Sequence, residues 1–462
     1  MEELIRDLEN RYDGYLIFSN STGVLQALNE QFFAEYYLLK HYLIFEPAET
    51  RFYQYAPQSG LWQYVSESWL IEQITQEVRD FLLSREIPDH LATYPFNKKV
   101  MLVLKGKCEK RGFFQLPSNG HRVHCANGVL EYNAQNSSWE MRPFSPEDRS
   151  RNRSEIVYDP AAQAPKFLEQ LLRPAMDEDD IRLLQLYVGQ CLLKENISQK
   201  FLLITGTAGS GKSSLVNVIE RLINPENCTE LRAEHLNGRI ANSLVGKTLL
   251  TGKDVKAGFL DTRGASMLKA LTGKDTLTTE FKHSNETIDI TGNFNVIITS
   301  NSTLHVRLEN DAPAWKRRML WIQYNNPPPK HPVENFDRLL IETEGSGILN
   351  WALDGAKQLL MQKGKIHLSP AQEQRIDELL AETDSLRLFV KEEVKKIPGS
   401  SISSRELWQR FCGYCVKHEY DAIPKQRFQR MLPDIMSQVH HVTLRHDIPR
   451  HGTTVRGYLN IG

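Results

Sequence analysis

The 462-residue sequence predicts an α/β protein whose centre is a parallel sheet with helices on both faces. Four almost fully apolar segments of strand length alternate with helical stretches between residues 201 and 325, a pattern typical of strands buried on both sides. They read FLLIT, TLLT, FNVIIT and RMLWIQY. Since a chain of this length exceeds a single core, about two to four domains are expected.

Composition restricts the class of protein. Lys and Arg total 56 against 57 Asp and Glu, so any nucleic-acid surface must be a local patch. The six cysteines follow no disulfide framework, and the CGYC pair at 412–415 fits a helix that buries Cys415 better than a zinc site. The start lacks the apolar core of a signal peptide, and no apolar run has the length of a membrane span. We therefore expect a cytoplasmic protein with no membrane partner.

The N-terminal region predicts an α+β structure. RFYQYAPQSGLWQYV (51–65) has the aromatic pattern of a hairpin, and HRVHCANGVLEY (121–132) predicts two strands around an Asn-Gly turn. The polar stretch 144–155 is interpreted as a linker or an exposed loop. Residues 166–195 turn helical.

A phosphate-binding motif follows the strand FLLIT. Gly206, Gly211, Lys212 and Ser213 have the spacing of a glycine-rich loop that opens a helix, predicted at 212–223. Backbone N–H groups of such a loop surround phosphate oxygens, while the lysine reaches the β- and γ-phosphates and the serine coordinates Mg²⁺. The predicted nucleotide-contacting residues are Gly206, Thr207, Ala208, Gly209, Ser210, Gly211, Lys212, Ser213 and Ser214.

Polar residues at the ends of later strands extend this site. LLTGKDV (249–255) ends a strand with Lys253-Asp254, and the strand FNVIIT is followed by Ser300-Asn301, which can contact the γ-phosphate or the attacking water. Arg317 and Arg318 precede the next strand, where an arginine can reach a neighbouring subunit's nucleotide. This order of motifs predicts an oligomeric ring.

At this point the sequence resembles the superfamily-3 helicases of the AAA+ class, in particular those of phage and plasmid primase–helicases and the poxvirus nucleoside triphosphatase. The resemblance extends to NGVLEY (127–132), YDPAAQAPKFLEQLL (158–172), YVGQCLL (187–193) and the aromatic segments FFAEYYLLKHYLIFEP and YQYAPQSGLW. Two features depart from the family: no primase signature precedes the helicase part, and the usual pair of adjacent acids is Lys253-Asp254.

The resemblance implies ATP and Mg²⁺ as cofactors and a hexameric ring. It implies Lys212 and Ser213 for phosphate and metal, Asp254 for the metal and Asn301 as the sensor. Either Arg317 or Arg318 would act on the neighbouring subunit. In this family a hairpin projects into the central channel, and the segment TLTTEFKHSNETIDI (276–290) would place Lys282 and His283 at its tip, against the DNA backbone.

The last eighty or so residues predict a winged-helix domain. Helices at 385–397, 403–419 and 423–436 precede two strands within 440–462, and Ser403 with Glu406 forms a capping-box pattern. Residues 421–462 hold six Lys or Arg against three Asp, the expected local basic patch. The alternative is a basic face that packs against other subunits. The predicted DNA-binding side chains here are Lys425, Arg427, Arg430 and Arg450.

The predicted function is an ATP-driven helicase for replication of a phage, plasmid or other mobile element. The alternative is a DNA-binding initiator with weak or no hydrolysis. Expected partners are single-stranded, forked or origin duplex DNA, further copies of the chain, and a separate primase. Lys253 is expected to turn aside, toward an acid such as Asp261 or Asp275, and Lys253→Glu is expected to preserve or raise hydrolysis. The predicted domains are an N-terminal region (1–155), a helical collar (156–195), an ATPase domain (196–345), a helical linker (346–383) and the winged helix (384–462).

Overall fold

The computed structural model divides the chain into two compact units, Met1–Tyr158 and Asp159–Gly462. Each unit is described by itself. The structure describes residues 1–18, 25–114, 120–236, 244–256, 258–260, 265, 267–280, 287–302, 304, 306, 312–327, 333–382, 385–418, 420, 422–450 and 452–462. Among these residues no helix is both long and apolar enough to cross a membrane.

The first unit combines four α-helices with small antiparallel sheets. The helices pack around a core rich in aromatic side chains, with Phe32, Phe33 and Phe81 in edge contact. α1 and α3 bury one apolar face, whereas α2 buries the nearly consecutive residues Phe32, Phe33, Ala34, Tyr36 and Tyr37 and therefore lies at the centre of the core. The elements are α1 (Glu2–Tyr12), β1 (Leu16–Phe18), β2 (Leu25–Leu28), α2 (Glu30–Lys40), β3 (Leu43–Glu46), β4 (Arg51–Ala56), β5 (Leu61–Val65), α3 (Glu67–Ser84), α4 (Tyr94–Lys107), β6 (Arg122–Cys125), β7 (Gly128–Asn133) and β8 (Ser138–Arg142).

Both predicted hairpins of this unit are confirmed, and each belongs to a sheet of three strands. β4 pairs with β5 as expected, and β3 adds on the other side of β4. β6 pairs with β7, and β8 completes that sheet. The polar spacing of β8 did not predict a strand because neither of its faces is fully buried.

The interpretation of residues 144–155 as a linker or exposed loop is wrong. The Asp148 carboxylate is only 1% exposed and pairs with Arg122 and Arg142, while Arg151 pairs with Glu49. Burial opposes the charged form of Asp148, but hydrogen bonds from Arg142 hold its pKa below the ordinary value. Asp148 and Arg151 are paired with residues outside the segment but inside the unit, so the sequence of the segment resembles that of a solvated loop.

The second unit contains the parallel sheet predicted from the apolar strands. Its order is β10-β11-β14-β9-β15, and every neighbouring pair is parallel. The strands are β9 (Phe201–Thr205), β10 (Cys228–Glu230), β11 (Leu249–Gly252), β14 (Asn295–Ser300) and β15 (Met319–Gln323). Between them lie α6 (Lys212–Ile223), α7 (Ala233–Leu236), α8 (Met267–Thr272), the hairpin strands β12 (Thr276–Glu280) and β13 (Thr287–Thr291), and α9 (Ala312–Arg318). The predicted bounds of β9 and α6 are confirmed.

Two further helices of this unit pack against each other through glycines. α5 (Glu178–Leu192) follows a π-helical turn at Phe167–Leu172, and α10 spans Phe336–Met361. A Cβ on Gly189 would lie 2.1 Å from the Ala356 nitrogen, so the two backbones meet directly. Because α10 starts at Phe336, the predicted boundary at 345/346 falls inside a helix.

The C-terminal part of the second unit is a helical layer with a three-stranded antiparallel sheet in the order β16-β18-β17. Its core is continuous, and Cys415 is 1% exposed within it, which confirms the predicted core position. The elements are α11 (Pro370–Glu382), α12 (Ser385–Glu392), β16 (Lys396–Ser403), α13 (Ser404–Lys417), α14 (Lys425–His440), β17 (Arg445–Arg450) and β18 (Thr453–Ile461). The capping box of Ser403 and Glu406 at the start of α13 is confirmed.

Candidate functional site

The glycine-rich loop connects β9 to α6 at the carboxyl edge of the parallel sheet, where open α/β sheets bind ligands. A Cβ on Gly206 would lie 1.9 Å from the Tyr324 carbonyl oxygen, so β15 leaves room only for glycine. Gly209 and Gly211 have φ values of 75° and 99°, which other residues rarely adopt. The loop's shape therefore depends on all three glycines.

Lys212 lies within the loop rather than in solvent. The residue is 3% exposed, and its Nζ donates to the carbonyl oxygens of Gly206 and Thr207 at 3.0 and 2.7 Å and to Ser210 Oγ at 3.3 Å. Burial lowers the pKa of Lys212, and the negative charge of Asp254 opposes that shift. The ammonium group is thus held where a phosphate oxygen would compete with the loop carbonyls.

The Asp254 carboxylate, just after β11, contacts the start of α6 and the residue that follows β14. Its Oδ2 lies 3.5 Å from Ser213 Oγ, and its Oδ1 lies 3.5 Å from Asn301 Nδ2. The backbone of Asp254 is left-handed, with φ of 49°, and its N–H donates to Thr299 Oγ1 at 3.0 Å. Carboxylate and hydroxyl oxygens are the ligands that Mg²⁺ prefers, so Ser213 and Asp254 fit a magnesium ion bound with a nucleotide.

Lys253 points away from this carboxylate and toward α6. Its Nζ donates to Asn217 Oδ1 at 2.9 Å and to Glu220 Oε2 at 2.6 Å, and Thr251 Oγ1 donates to the other Glu220 oxygen at 2.6 Å. The predicted turn aside is therefore confirmed. The partner is an acid, as predicted, but it is Glu220 rather than Asp261 or Asp275, and it follows Asn217 by one turn of the same helix.

The two candidate arginines at the end of α9 have different surroundings. Arg317 is exposed, and the Lys200 Nζ donates to its backbone carbonyl. Burial lowers the pKa of Lys200, and the neighbouring Arg317 charge adds to that shift. Arg318 is half-buried, and its guanidinium would lie 3.0 Å from a Cβ on Gly273.

The two strands of the predicted hairpin at 276–290 are present. β12 and β13 pair antiparallel from Thr276 opposite Thr291 to Glu280 opposite Thr287. The tip that would carry Lys282 and His283 lies outside the described residues.

The predicted DNA-binding side chains of the C-terminal part differ in availability. Lys425 and Arg430 are exposed on α14, and the side chain of Arg427 lies outside the described part of the structure. Arg450 is held within the domain: its guanidinium contacts Glu406 at 3.2 Å and Ser401 Oγ at 2.9 Å. Its guanidinium therefore stabilises the start of α13 in this conformation.

Sequence reasoning missed two residues of the site. Thr299 positions the Asp254 backbone, and Glu220 holds Lys253. Glu220 lies two helical turns after Ser213 on α6, a spacing that places both residues on one helix face. That spacing is the signal that could have found it.

Fold and site together define a mixed α/β protein with a five-stranded parallel sheet and a P-loop-like nucleotide-binding core. Three family models match the chain. Residues 30–175 match the model described as D5 N terminal like, residues 381–452 match the Poxvirus D5 protein-like model, and residues 204–318 match a family of unknown function, DUF5906. The resemblance to superfamily-3 helicases of the phage and poxvirus type is thereby confirmed.

Among solved structures, the chain is similar to the apo structure of the NrS-1 C terminal region. One such structure is 16% identical, with 95% of this chain and 100% of that chain covered and a TM-score of 0.48. The A form apo structure of the same region is 14% identical over 94% and 100% of the two chains, also with a TM-score of 0.48. No curated protein matches the chain.

Proposed function

We propose that the protein is a ring-forming, ATP-dependent DNA helicase that serves replication of a phage, plasmid or other mobile element. The observation that carries the proposal is the Asp254 carboxylate, which contacts the P-loop serine through one oxygen and the Asn301 amide through the other. A single carboxylate thus connects the metal position with the sensor position, which is what hydrolysis of a bound nucleotide requires.

In this proposal the residues of the loop bind Mg²⁺-ATP. Lys212, which now contacts the Gly206 and Thr207 carbonyls, would neutralise the β- and γ-phosphates, and Ser213 and Asp254 would hold the metal. The metal, when bound, withdraws charge from the phosphoryl oxygens. Asn301 orients the attacking water, and Thr299 holds Asp254 in place. Positioning and electrostatics supply most of the rate in phosphoryl transfer, and these residues would supply the part that comes from one subunit.

Arg317 is the better candidate for the arginine that acts on a neighbouring subunit. It is exposed, whereas Arg318 is half-buried beside Gly273. The Lys200 side chain donates to the Arg317 backbone carbonyl at the end of α9. We assign the role to Arg317 in a hexameric ring, with Arg318 as a structural residue.

DNA would be contacted at two places. The β12–β13 hairpin would carry Lys282 and His283 into the channel, and the C-terminal part has the helix and strand order α12-β16-α13-α14-β17-β18 that supports a winged helix. Within that part Lys425 and Arg430 on α14 are exposed, and with Arg427 they form the proposed contact face.

We propose the domain division predicted from the sequence, with the start of the helical linker moved to Phe336.

The presence of a lysine at position 253 favours one alternative function, that of a replication initiator which binds DNA but hydrolyses ATP poorly. An adjacent acid, usual in the family, is replaced by a lysine that is bound to Glu220. Unwinding of a forked DNA substrate separates the two functions. The helicase proposal expects ATP-dependent strand separation by the wild type and none by Lys212→Ala. DNA binding without unwinding, at any nucleotide concentration, would support the initiator instead.

A further inference from the structure

Helix α4 of the first unit has one buried face and one face that carries lysines. The residues that it buries are Asn97, Val100, Met101 and Leu104. On the other side, positions separated by four, four and three residues form one stripe along the helix, because such positions lie above one another. The residues of this stripe are Tyr94, Lys98, Leu102 and Lys105. Lys99 is also exposed and flanks the stripe, about 100° around the helix from Lys98.

The charge of α4 is opposite to that of its unit. Residues 1–158 contain 17 Lys or Arg against 21 Asp or Glu, whereas α4 contains four Lys and no Asp or Glu. Its positive charge is therefore concentrated on one helix of a unit that is acidic as a whole. Such a local concentration is what a chain of nearly neutral total charge needs in order to bind a polyanion.

Three of the four lysines keep this charge free. Among the described residues, no acidic side chain pairs with Lys98, Lys99 or Lys105. The Lys105 Nζ lies over the Phe45 ring, 4.5 Å from its centre, a contact that leaves the positive charge in place.

Other cations of the unit are mostly paired with acids. Arg85 lies 3.4 Å from Glu9, and the fourth lysine of α4, Lys107, lies 2.8 Å from Glu35. The unpaired lysines of α4 thus differ both from the rest of the unit and from their neighbour on the same helix.

Two exposed apolar side chains lie in the same stripe. Tyr94 and Leu102 are 64% and 56% exposed. Lysine is depleted in protein–protein interfaces, so three unpaired lysines favour a nucleic acid over a protein partner. An exposed aromatic ring beside cations favours a single strand over a duplex, because only unpaired bases offer a face on which the ring can stack.

We infer that the α4 face, defined by Tyr94, Lys98, Lys99 and Lys105, binds single-stranded DNA. The lysines contact phosphates of one strand, and the Tyr94 ring stacks on a base. Lys98 and Lys105 are separated by about 10 Å along the helix axis, a length of about three base steps on one strand. The inference rests on the proposed action on DNA, and it adds a contact in the N-terminal unit.

The test measures binding of the full chain to a fluorescein-labelled oligothymidylate by fluorescence anisotropy at several salt concentrations. The triple variant Lys98→Gln, Lys99→Gln, Lys105→Gln should bind roughly fivefold more weakly for each lysine removed at about 0.1 M salt, because each lost phosphate contact releases about 0.7 fewer counterions. The slope of log affinity against log salt concentration should become shallower by about two.

The ring and the charge can be tested separately. Tyr94→Leu should weaken binding roughly fivefold or more without changing the salt slope, since stacking releases no counterions. Tyr94→Phe keeps the ring and should bind as wild type does.

Two controls match the triple variant. Replacing Lys98, Lys99 and Lys105 by Arg keeps the charges, so the affinity and the salt slope should be retained. Lys107→Gln removes a lysine of the same helix that Glu35 already neutralises, so DNA affinity should stay within about twofold of wild type.

Equal affinity of the triple Gln variant and wild type for the single strand would overturn the inference, and ATP-dependent unwinding by wild type would then leave the proposed function standing. Loss of affinity for a duplex of the same length, with unchanged affinity for the single strand, would assign the face to duplex DNA and also overturn the inference. Unchanged DNA affinity with loss of self-association in sedimentation velocity would assign the face to a contact between copies of the chain, against the inference. A wild type that neither binds DNA nor hydrolyses ATP would refute the inference and the helicase together.

Discussion

Replacement of Lys253 by methionine should lower stability and leave nucleotide binding intact. The side chain is 36% exposed, and its Nζ lies 2.6 Å from Glu220 Oε2. A hydrogen bond to a charged group contributes about 1.5–3 kcal/mol, and solvent screening of a pair this exposed reduces that to about 1 kcal/mol. For a unit of this size, that loss lowers the melting temperature by roughly 2 °C.

Lys253→Glu should be worse for stability, because a second carboxylate would face Glu220. We expect about twice the loss of stability of the methionine variant, whereas the expectation from sequence, that this substitution preserves or raises hydrolysis, concerns the folded protein and stays a separate prediction. The Glu220→Gln variant removes the repulsion, so Lys253→Glu in that background should recover part of the loss.

The assay combines calorimetry with ATP-binding and hydrolysis measurements. The exposed Lys256, in the same segment, supplies the matched control as Lys256→Met, which should change neither stability nor activity. We expect nucleotide affinity and kcat of Lys253→Met within about threefold of wild type. A loss of kcat beyond about tenfold with an unchanged melting temperature would refute the reasoning, because it would place Lys253 at the nucleotide.

Four further outcomes are expected. Hydrogen bonds from the Ser403 backbone N–H and from Arg450 lower the pKa of Glu406 to about 2 in the folded protein. The Glu406 carboxylate therefore stabilises the fold fully above pH 4.5, the ordinary pKa of the group, and this contribution is lost as pH falls through 2. Acid unfolding followed by hydrogen exchange in α13 should show this pH dependence in the wild type and not in Glu406→Gln. Gly189→Ala should destabilise the second unit by roughly 1–3 kcal/mol in denaturant titrations, because its Cβ would overlap α10. Arg317→Ala should abolish hydrolysis and be rescued by mixing with Asp254→Asn subunits, whereas Arg318→Ala should not be rescued. Thr299→Val should weaken Mg²⁺-dependent ATP binding about threefold to tenfold in calorimetric titrations, through loss of the hydrogen bond to Asp254.

The parallel sheet could be predicted from the sequence because its strands are apolar on both faces. FLLIT and the following helix were placed at their observed ends, and the P-loop spacing is itself a local signal. Residues 144–155 could not be predicted in the same way. Their charges are neutralised by Arg122 and Glu49, which lie far away in sequence, so nothing local distinguishes the segment from a solvated loop.

Some features of the candidate site could likewise be predicted from the sequence and others could not. Lys212 and Ser213 were predicted from the spacing of the glycine-rich loop, and Asp254 from its place at a strand end together with the family resemblance. The partner of Lys253 could not be predicted, because Glu220 lies on a helix face that becomes adjacent to β11 only when α6 packs on the sheet. The role of Arg450 at the start of α13 likewise depends on a contact between distant residues. Patterns in a single sequence do not reveal which charged residues pair when they are far apart along the chain.

Hydrolysis of ATP by the purified chain is the most direct test of the central claim. The measurement compares wild type, Lys212→Ala and Asp254→Asn with Mg²⁺ and single-stranded DNA present. We expect wild-type turnover that DNA stimulates and that falls at least about a hundredfold in both variants, since each removes a charge from the phosphate or metal position. Wild-type turnover no higher than that of Lys212→Ala would contradict the account.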